Sequence, residues 1–138
     1  MIIAIINGPN LNLLGKREPE IYGTETFEAY LEKLKIIFPQ ITFQYYQSNI
    51  EGELINAIQE FGFSTDGIIL NPGAYTHTSI AIGDAVAAVK SKVIEVHISN
   101  IFDREEFRKH SFISAKCSGV MSGFGLRGYE LAANYLLG

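Results

Sequence analysis

Residues 2–10 read Ile2-Ile3-Ala4-Ile5-Ile6-Asn7-Gly8-Pro9-Asn10, so that an unbroken apolar run passes directly into a polar turn. Two later stretches have the same form: residues 68–73 read IILNPG, and residues 93–100 read VIEVHISN. Each apolar run has the length of a strand, and its continuity indicates burial on both faces, as in a parallel sheet. Because the carboxyl ends of parallel strands meet at one edge, these segments are predicted to bring amides, a carboxylate and imidazoles together there.

Strand and helix patterns alternate along the rest of the chain. Strand-forming residues occupy 42–47 and 119–122, and apolar residues recur at helical spacing over 27–38, 54–61, 79–89 and 127–137. The sequences at 48–51 and 103–106 predict capping boxes, each opening a helix. Five such βα units predict an α/β fold with a flavodoxin-like, doubly wound sheet of five parallel strands in the order 2-1-3-4-5 and helices on both faces. No segment indicates a second domain, so residues 1–138 are expected to form a single catalytic domain.

The composition argues against several classes of protein. The chain has 138 residues, 47% of them hydrophobic and 19% charged, and its net charge of −4 is not that of an electrostatic nucleic-acid binder. Three histidines and one cysteine show no metal-ligand spacing, so no metal site is predicted. The N-terminal apolar run is too short for a membrane span or a signal sequence, and a lone Cys117 is natural in a reducing compartment. We therefore expect a cytoplasmic protein that binds neither nucleic acid nor membrane.

Glu95, His97 and Ser99 alternate along the end of the fourth predicted strand (93–98). Because alternate residues of a strand share a face, these three side chains are expected to point one way and the apolar residues between them the other. A carboxylate beside an imidazole can orient the ring and hold its proton, as a general acid requires. The alternative is a structural histidine that a neighbour satisfies. The other polar residues at this edge of the sheet favour the catalytic interpretation.

Asn71 and His77 belong to the polar turn after the third predicted strand. Proline and glycine follow Asn71 and force a tight turn, so that both side chains can face a cleft at the switch point between the first and third strands. The alternative is an ordinary turn in which the Asn71 side chain accepts a main-chain N–H.

The loop at about 15–24 is longer than most connections between a strand and a helix, and such loops often act as lids. It carries Arg17 and Tyr22 between Gly15 and Gly23. A guanidinium held near a phenol favours the phenolate, which is a usable base. The alternative is a solvent-exposed loop whose tyrosine packs on the surface.

Four further features are weaker signals. Residues 123–128, GFGLRG, match G-x-G-x-x-G, but neither a following strand nor an acidic residue about 20 positions on is present, so a tight turn into the last helix is predicted. His110 is expected at the surface, and Cys117 is expected to be packed rather than reactive. Arg108 has two interpretations: a solvated helix residue, or an anchor for an anionic substrate.

Taken together, these segments resemble those of type II 3-dehydroquinate dehydratases, also called type II dehydroquinases. The resemblance implies a flavodoxin-like fold, no cofactor, and dehydration of 3-dehydroquinate to 3-dehydroshikimate in the shikimate pathway of aromatic amino acid biosynthesis. It also implies a homododecamer built from trimers. The matching segments span most of the chain: 8–12 (GPNLN), 17–19 (REP), 22–23 (YG), 71–74 (NPGA), 77–79 (HTS), 95–100 (EVHISN) and 104–108 (REEFR).

The same resemblance implies a role for each candidate residue. Tyr22 would remove a proton from the carbon beside the ketone, and Arg17 would favour its ionised form. Asn10, through a water molecule, would stabilise the enolate, and His97, oriented by Glu95, would protonate the departing hydroxyl in an anti elimination. The remaining candidates would hold the hydroxyls and carboxylate of the substrate, one of them, Asp84, at a neighbouring subunit's site: Asn71, His77, Asp84, Ile98, Ser99 and Arg108.

Three other classes of protein share parts of the pattern. A flavodoxin-like module that binds a nucleotide or flavin needs a phosphate cradle after the first strand, where Pro9 has no N–H to donate. A receiver domain needs acidic residues where this chain has Asn7 and Asn71. A purely structural assembly protein would leave the buried polar residues unexplained. The pattern therefore favours an enzyme.

Overall fold

The chain forms one sheet of five parallel strands: β1 (Ile2–Asn7), β2 (Thr42–Gln47), β3 (Gly67–Asn71), β4 (Lys92–His97) and β5 (Gly119–Ser122). The computed structural model describes residues 1–138, except for the side chains of Ile21 and Tyr22. The strands follow the order β2-β1-β3-β4-β5, which confirms the predicted topology. Because β1 pairs with both β2 and β3, the direction of winding reverses beside β1, and this is where such folds bind ligands.

Helices cover both faces of the sheet, as predicted: α1 (Pro19–Tyr22), α2 (Phe27–Ile37), α3 (Glu51–Phe61), α4 (Ile80–Ala88) and α5 (Arg127–Leu137). Side chains of α2 and α5 enter the core on one face, and those of α3 and α4 enter the core on the other. In the described part of the chain, no helix has the length and apolar character needed to cross a bilayer.

The apolar runs are buried on both faces of the sheet. In β1, Ile3 and Ile5 belong to the core beneath α2 and α5, whereas Ala4 and Ile6 belong to the core beneath α3 and α4. All four side chains have an exposed fraction of 0%. Full burial of an isoleucine stabilises the fold by about 1.5–3 kcal/mol relative to leaving it exposed. The continuous apolar pattern therefore reflects double burial, as the sequence predicts.

The prediction of a capping box at 48–51 is wrong. Helix α3 begins at Glu51 after Ile50, a residue that cannot cap through its side chain. Ser48 lies too early, because its main-chain N–H still bonds to the carbonyl of Asn7 at 3.1 Å, at the end of the β1–β2 ladder. Its hydroxyl accepts the N–H of Ile50 at 3.0 Å and donates to Glu53 at 2.5 Å. The serine therefore stabilises the approach to the helix from outside it.

The second predicted capping box, at 103–106, is also wrong. Two short 3-10 turns, Ile101–Asp103 and Glu106–Lys109, replace the expected helix. Asn100 caps the first turn by accepting the N–H of Phe102 at 3.1 Å. Because Asp103 is itself the last residue of that turn, no helix starts from it.

Gly83 allows the loop after the second 3-10 turn to pack against α4. A Cβ at Gly83 would lie 2.4 Å from the carbonyl oxygen of Phe112, well inside contact distance. We expect Gly83→Ala to lower the free energy of unfolding by about 1–3 kcal/mol, because the loop must move. Gly52→Ala is the matched control: no atom lies within 4 Å of its Cβ, and alanine should raise stability by about 0.5–1 kcal/mol. Thermal unfolding measures the stability of both variants. If Gly83→Ala is as stable as the wild type, the loop does not pack against α4 in this way.

Candidate active site

A cleft opens at the carboxyl edge of the sheet, where β1, β3 and β4 end. Glu95 lies behind this cleft as the hydrogen-bond partner of His97, and Asp84 is exposed on α4, outside the lining. The side chain of Tyr22, the predicted base, lies outside the described residues. The other candidate residues from the sequence all contribute to the lining: Asn10, Arg17, Asn71, His77, His97, Ile98, Ser99 and Arg108.

Glu95 and His97 form a buried pair at the end of β4. Their exposed fractions are 0% and 5%, and His97 Nε2 donates a hydrogen bond to Glu95 Oε2. Two hydroxyls also donate to the carboxylate: Thr76 Oγ1 to Oε2 at 2.7 Å, and Ser114 Oγ to Oε1 at 2.6 Å. Burial alone would raise the pKa of Glu95, but the hydrogen bonds from His97, Ser114 and Thr76 outweigh it and hold that pKa below its usual value. The carboxylate is therefore ionised at neutral pH and fixes the orientation of the imidazole.

The alternation predicted for this strand holds up to its last residue. Ile98 packs in the opposite core from the Glu95 and His97 side chains, together with Ile94 and Val96 of β4. Ser99 lies beyond β4, which ends at His97 rather than at the predicted residue 98. Its carbonyl accepts a hydrogen bond from Ser122 Oγ at 3.2 Å, which ties the segment to the end of β5.

His77 contributes a second imidazole to the cleft. Its Nδ1 lies 2.7 Å from the carbonyl oxygen of His110, and because a carbonyl only accepts, Nδ1 carries the proton. Burial lowers the pKa of His77 below its usual value, and the nearby His97 and Arg108 lower it further, against the opposing effect of that hydrogen bond. His77 is therefore suited to hydrogen bonding as a neutral ring, with Nε2 as an acceptor.

Asn71 both stabilises the turn after β3 and lines the cleft. Its Oδ1 accepts the N–H of Gly73 at 3.1 Å, and its Nδ2 donates to the hydroxyl of Tyr129 at 2.9 Å. That hydroxyl donates to Asn7 Oδ1 at 2.8 Å. The two interpretations of Asn71 from the sequence are thus compatible. Tyr129 was not identified from the sequence, because it lies on the apolar face of α5 and belongs to no recognisable motif.

Asn10 and Arg17 reach the cleft from the segment that follows β1. Asn10 has a left-handed backbone (φ 70°), a conformation that asparagine adopts more readily than most residues, and its N–H bonds to Asn49 Oδ1 at 3.0 Å. Arg17 Nη2 lies 3.3 Å from Glu18 Oε2, and 37% of the arginine side chain is exposed. The movement expected of the 15–24 loop as a lid stays a prediction.

Arg108 lies on a 3-10 turn in the wall of the cleft, with 22% of its side chain exposed. Its Nε donates to Glu105 Oε2 at 2.7 Å. Arg104 lines the same cleft, although sequence reasoning did not select it; an arginine four positions before Arg108 was the available signal. Together with Arg17, these residues place three guanidinium groups around the cleft, an arrangement that suits a ligand with a carboxylate.

The weaker features of the sequence have structural explanations. Residues 123–126 form a turn into α5, as predicted, with left-handed backbones at Gly123 (φ 94°) and Gly125 (φ 61°). Cys117 packs against the core beneath α3 and α4, and burial raises the pKa of its thiol to about 12, so the thiol keeps its proton at neutral pH. His110 is exposed. Among the described residues, no group of histidine, cysteine or acidic side chains could hold a metal ion.

The lowered pKa of Glu95 predicts a pH dependence of stability. Because folding lowers this pKa, the stabilisation is fully present above the unfolded value of about 4.3 and is lost as the pH falls toward the folded value. We expect Glu95→Gln to be less stable than the wild type at pH 7 and the difference to narrow at pH 4. Urea unfolding at both pH values measures this, with the exposed Glu60→Gln as control. A difference that widens on acidification would contradict the assignment.

Comparison with known proteins shows similarity along nearly the whole chain. The family described as "Dehydroquinase class II" matches residues 1–137. The 3-dehydroquinate dehydratase of Prochlorococcus marinus (strain NATL1A) is 52% identical over 134 residues, which cover 96% of this chain and 92% of that protein. The crystal structure of type II dehydroquinase from Butyrivibrio crossotus DSM 2876 has a TM-score of 0.96 and 50% identity, over 100% of this chain and 98% of the other. The crystal structure of type II dehydroquinase from Propionibacterium acnes has a TM-score of 0.93 and 41% identity, over 98% of this chain and 94% of the other. The chain therefore belongs to the class II dehydroquinase family.

Proposed function

We propose that this protein is a hydro-lyase that dehydrates 3-dehydroquinate to 3-dehydroshikimate, a step of the shikimate pathway of aromatic amino acid biosynthesis. The observation that carries the proposal is the buried Glu95–His97 pair, which meets a cleft lined by three arginines. The pair supplies an oriented proton donor, and the arginines suit the carboxylate of the substrate. Membership of the class II dehydroquinase family supports the same reaction.

The proposed elimination begins at the carbon beside the ketone. Tyr22, as phenolate, removes a proton from this carbon, and the electron pair moves onto the carbonyl oxygen to form an enolate. Asn10, through a water molecule, stabilises the negative charge on that oxygen. The enolate then re-forms the ketone, the new double bond forms, and the hydroxyl leaves on the face opposite the base. His97 protonates it to water, and Glu95 stabilises the imidazolium before the transfer.

The remaining candidates position the substrate. Arg108 binds the carboxylate, and the side chains of Asn71, His77 and Ser99, with the backbone of Ile98, bind the hydroxyls. Only proton transfers and a leaving hydroxyl are involved, so we expect no cofactor. The neutral imidazole of His77 fits a hydroxyl partner better than an anionic one.

Formation of the conjugated product gives a direct ultraviolet assay, and Tyr22→Phe tests the base. We expect this variant to lose about 10²–10⁴-fold in kcat while still binding substrate, because only the hydroxyl is removed. Tyr135→Phe, at an exposed tyrosine of α5, is the matched control and should keep wild-type turnover. Should Tyr22→Phe retain more than about a tenth of wild-type kcat, another residue must be the base.

Arg17→Ala separates activation of the base from anchoring of the substrate. If the guanidinium stabilises the phenolate, its loss lowers kcat by about tenfold or more with little change in KM. A carboxylate anchor would instead raise KM and leave kcat intact. Steady-state kinetics distinguish these outcomes. Lys16→Ala removes the exposed neighbouring cation and should change neither constant.

We further propose that the chain assembles into a closed homo-oligomer, a dodecamer built from trimers, in the cytoplasm. Ile80 is 62% exposed, Ala81, Ala87 and Ala88 are exposed, and Asp84 lies among them on α4. An apolar helix surface of this kind is typical of an interface, and Asp84 would reach the site of a neighbouring subunit from it. Multi-angle light scattering at micromolar concentration should give the mass of the oligomer; a monomer would contradict this proposal.

A further inference from the structure

Glu95 receives more hydrogen bonds than the orientation of one imidazole requires. The hydroxyls of Thr76 and Ser114 donate to it, and Thr76 Oγ1 lies 2.5 Å from Ser111 Oγ. Ser111 Oγ in turn accepts the main-chain N–H groups of Ile113 and Ser114, each at 3.0 Å. Two hydroxyls thus connect the backbone of a loop to one oxygen of the buried carboxylate.

The direction of each hydrogen bond in this series follows from the number of protons. An ionised carboxylate has no proton to donate, so the single hydroxyl proton of Thr76 points to Glu95 Oε2. Thr76 Oγ1 must therefore accept at its contact with Ser111, and the Ser111 hydroxyl donates. Hydrogen bonds aligned in this way polarise and strengthen one another.

We propose that Ser111 and Thr76 act as positioning residues, which hold the carboxylate of Glu95 in place behind His97 through consecutive hydrogen bonds. This inference rests on the proposed role of His97 as the acid. Neither Ser111 nor Thr76 lines the cleft, and Thr76 has an exposed fraction of 0%. Their effect on turnover is transmitted by Glu95.

The same contacts connect the acid to the segment that carries Arg108. The loop at 110–114 begins two residues after Arg108 and, besides the Ser111–Thr76 contact, is held to the turn after β3 at two further points. His77 Nδ1 donates to the carbonyl of His110 at 2.7 Å, and Phe112 N–H donates to the carbonyl of Thr76 at 2.8 Å. The loop at 110–114 therefore joins the 3-10 turn that carries Arg108 to the residues that hold Glu95 behind His97.

Several ionisable groups surround the pair. His97 contacts Glu95 directly, Glu95 acts through space on His77 and Cys117, and Arg108 acts through space on His77. Arg104 lines the same cleft. The pKa of Glu95 is lowered against the effect of burial, and a donor from Thr76 is among the causes. Removal of that donor should therefore raise the pKa of Glu95.

The experiment compares Thr76→Val, Ser111→Ala and the double variant in dehydration of 3-dehydroquinate, by kcat, KM and the pH profile of kcat/KM. Thr76→Val keeps the side-chain shape and should lower kcat roughly tenfold with little change in KM. Ser111→Ala should cost about threefold, because its effect passes through Thr76. The double variant should lose no more than Thr76→Val alone. The acid limb of both single variants should move to higher pH, since Glu95 must remain ionised.

Two controls separate this role from support of the loop. Ser111→Thr keeps the hydroxyl and should restore the wild-type acid limb. Ser118→Ala, at an exposed serine of the same connection, should behave as the wild type. If Ser111→Ala lowers kcat by the same factor with and without Thr76→Val, Ser111 acts only on its own loop and the inference is wrong. An unmoved acid limb in Thr76→Val refutes it as well.

The result also distinguishes this inference from the proposed function. A wild-type protein that fails to dehydrate 3-dehydroquinate refutes the proposed reaction itself. An active wild type whose Thr76 and Ser111 variants keep its kinetics and pH profile refutes only the positioning role.

Discussion

The burial of one carboxylate, that of Glu95, constrains the segments on its side of the sheet. A buried charge costs several kcal/mol unless it is paired and hydrogen-bonded. Three separate segments meet this requirement: β4 supplies His97, the turn after β3 supplies Thr76, and the loop before β5 supplies Ser114. Their relative positions are therefore set by one side chain. The same hydrogen bonds to Glu95 also fix the position of His97 in the wall of the cleft.

A second buried polar cluster holds the switch point together. The parallel register places Asn7 beside Asn71 at the ends of β1 and β3. The hydroxyl of Tyr129 bonds to both amides, donating to Asn7 and accepting from Asn71. Burial raises the pKa of Tyr129 well above its usual value, so the phenol keeps its proton and remains a donor. Helix α5 thus orients the turns that carry cleft residues, although it contributes no residue to the lining itself.

Local pattern was sufficient to predict the five strands, the four longer helices and most of the cleft, because unbroken apolar runs indicate buried strands and the polar residues that follow them lie at the carboxyl edge. It failed at Ser48 and Asp103, since a cap depends on where the preceding strand or turn ends. Thr76 and Tyr129 were missed for a related reason. A lone threonine in a turn and a tyrosine on an apolar helix face have no motif, and their partners lie 19 and 58 positions away along the chain. Such long-range polar contacts become visible only in the folded structure.

The two sides of the cleft differ in burial and in the backbone conformation of the segments that form them. His97 and its partner Glu95 are buried on a central strand, whereas Arg17 lies on a segment bounded by glycines with left-handed backbones, Gly15 (φ 91°) and Gly23 (φ 80°). Glu18, between them, also has a left-handed backbone (φ 44°), which costs a non-glycine residue about 1 kcal/mol or more. Proton delivery to a leaving group requires a donor that is already in position, while the opposite side must admit the substrate. The proposed dehydration fits this difference between the two sides. Because the acid is already in position, the reorganisation expected after substrate binding is confined to the side that carries Arg17.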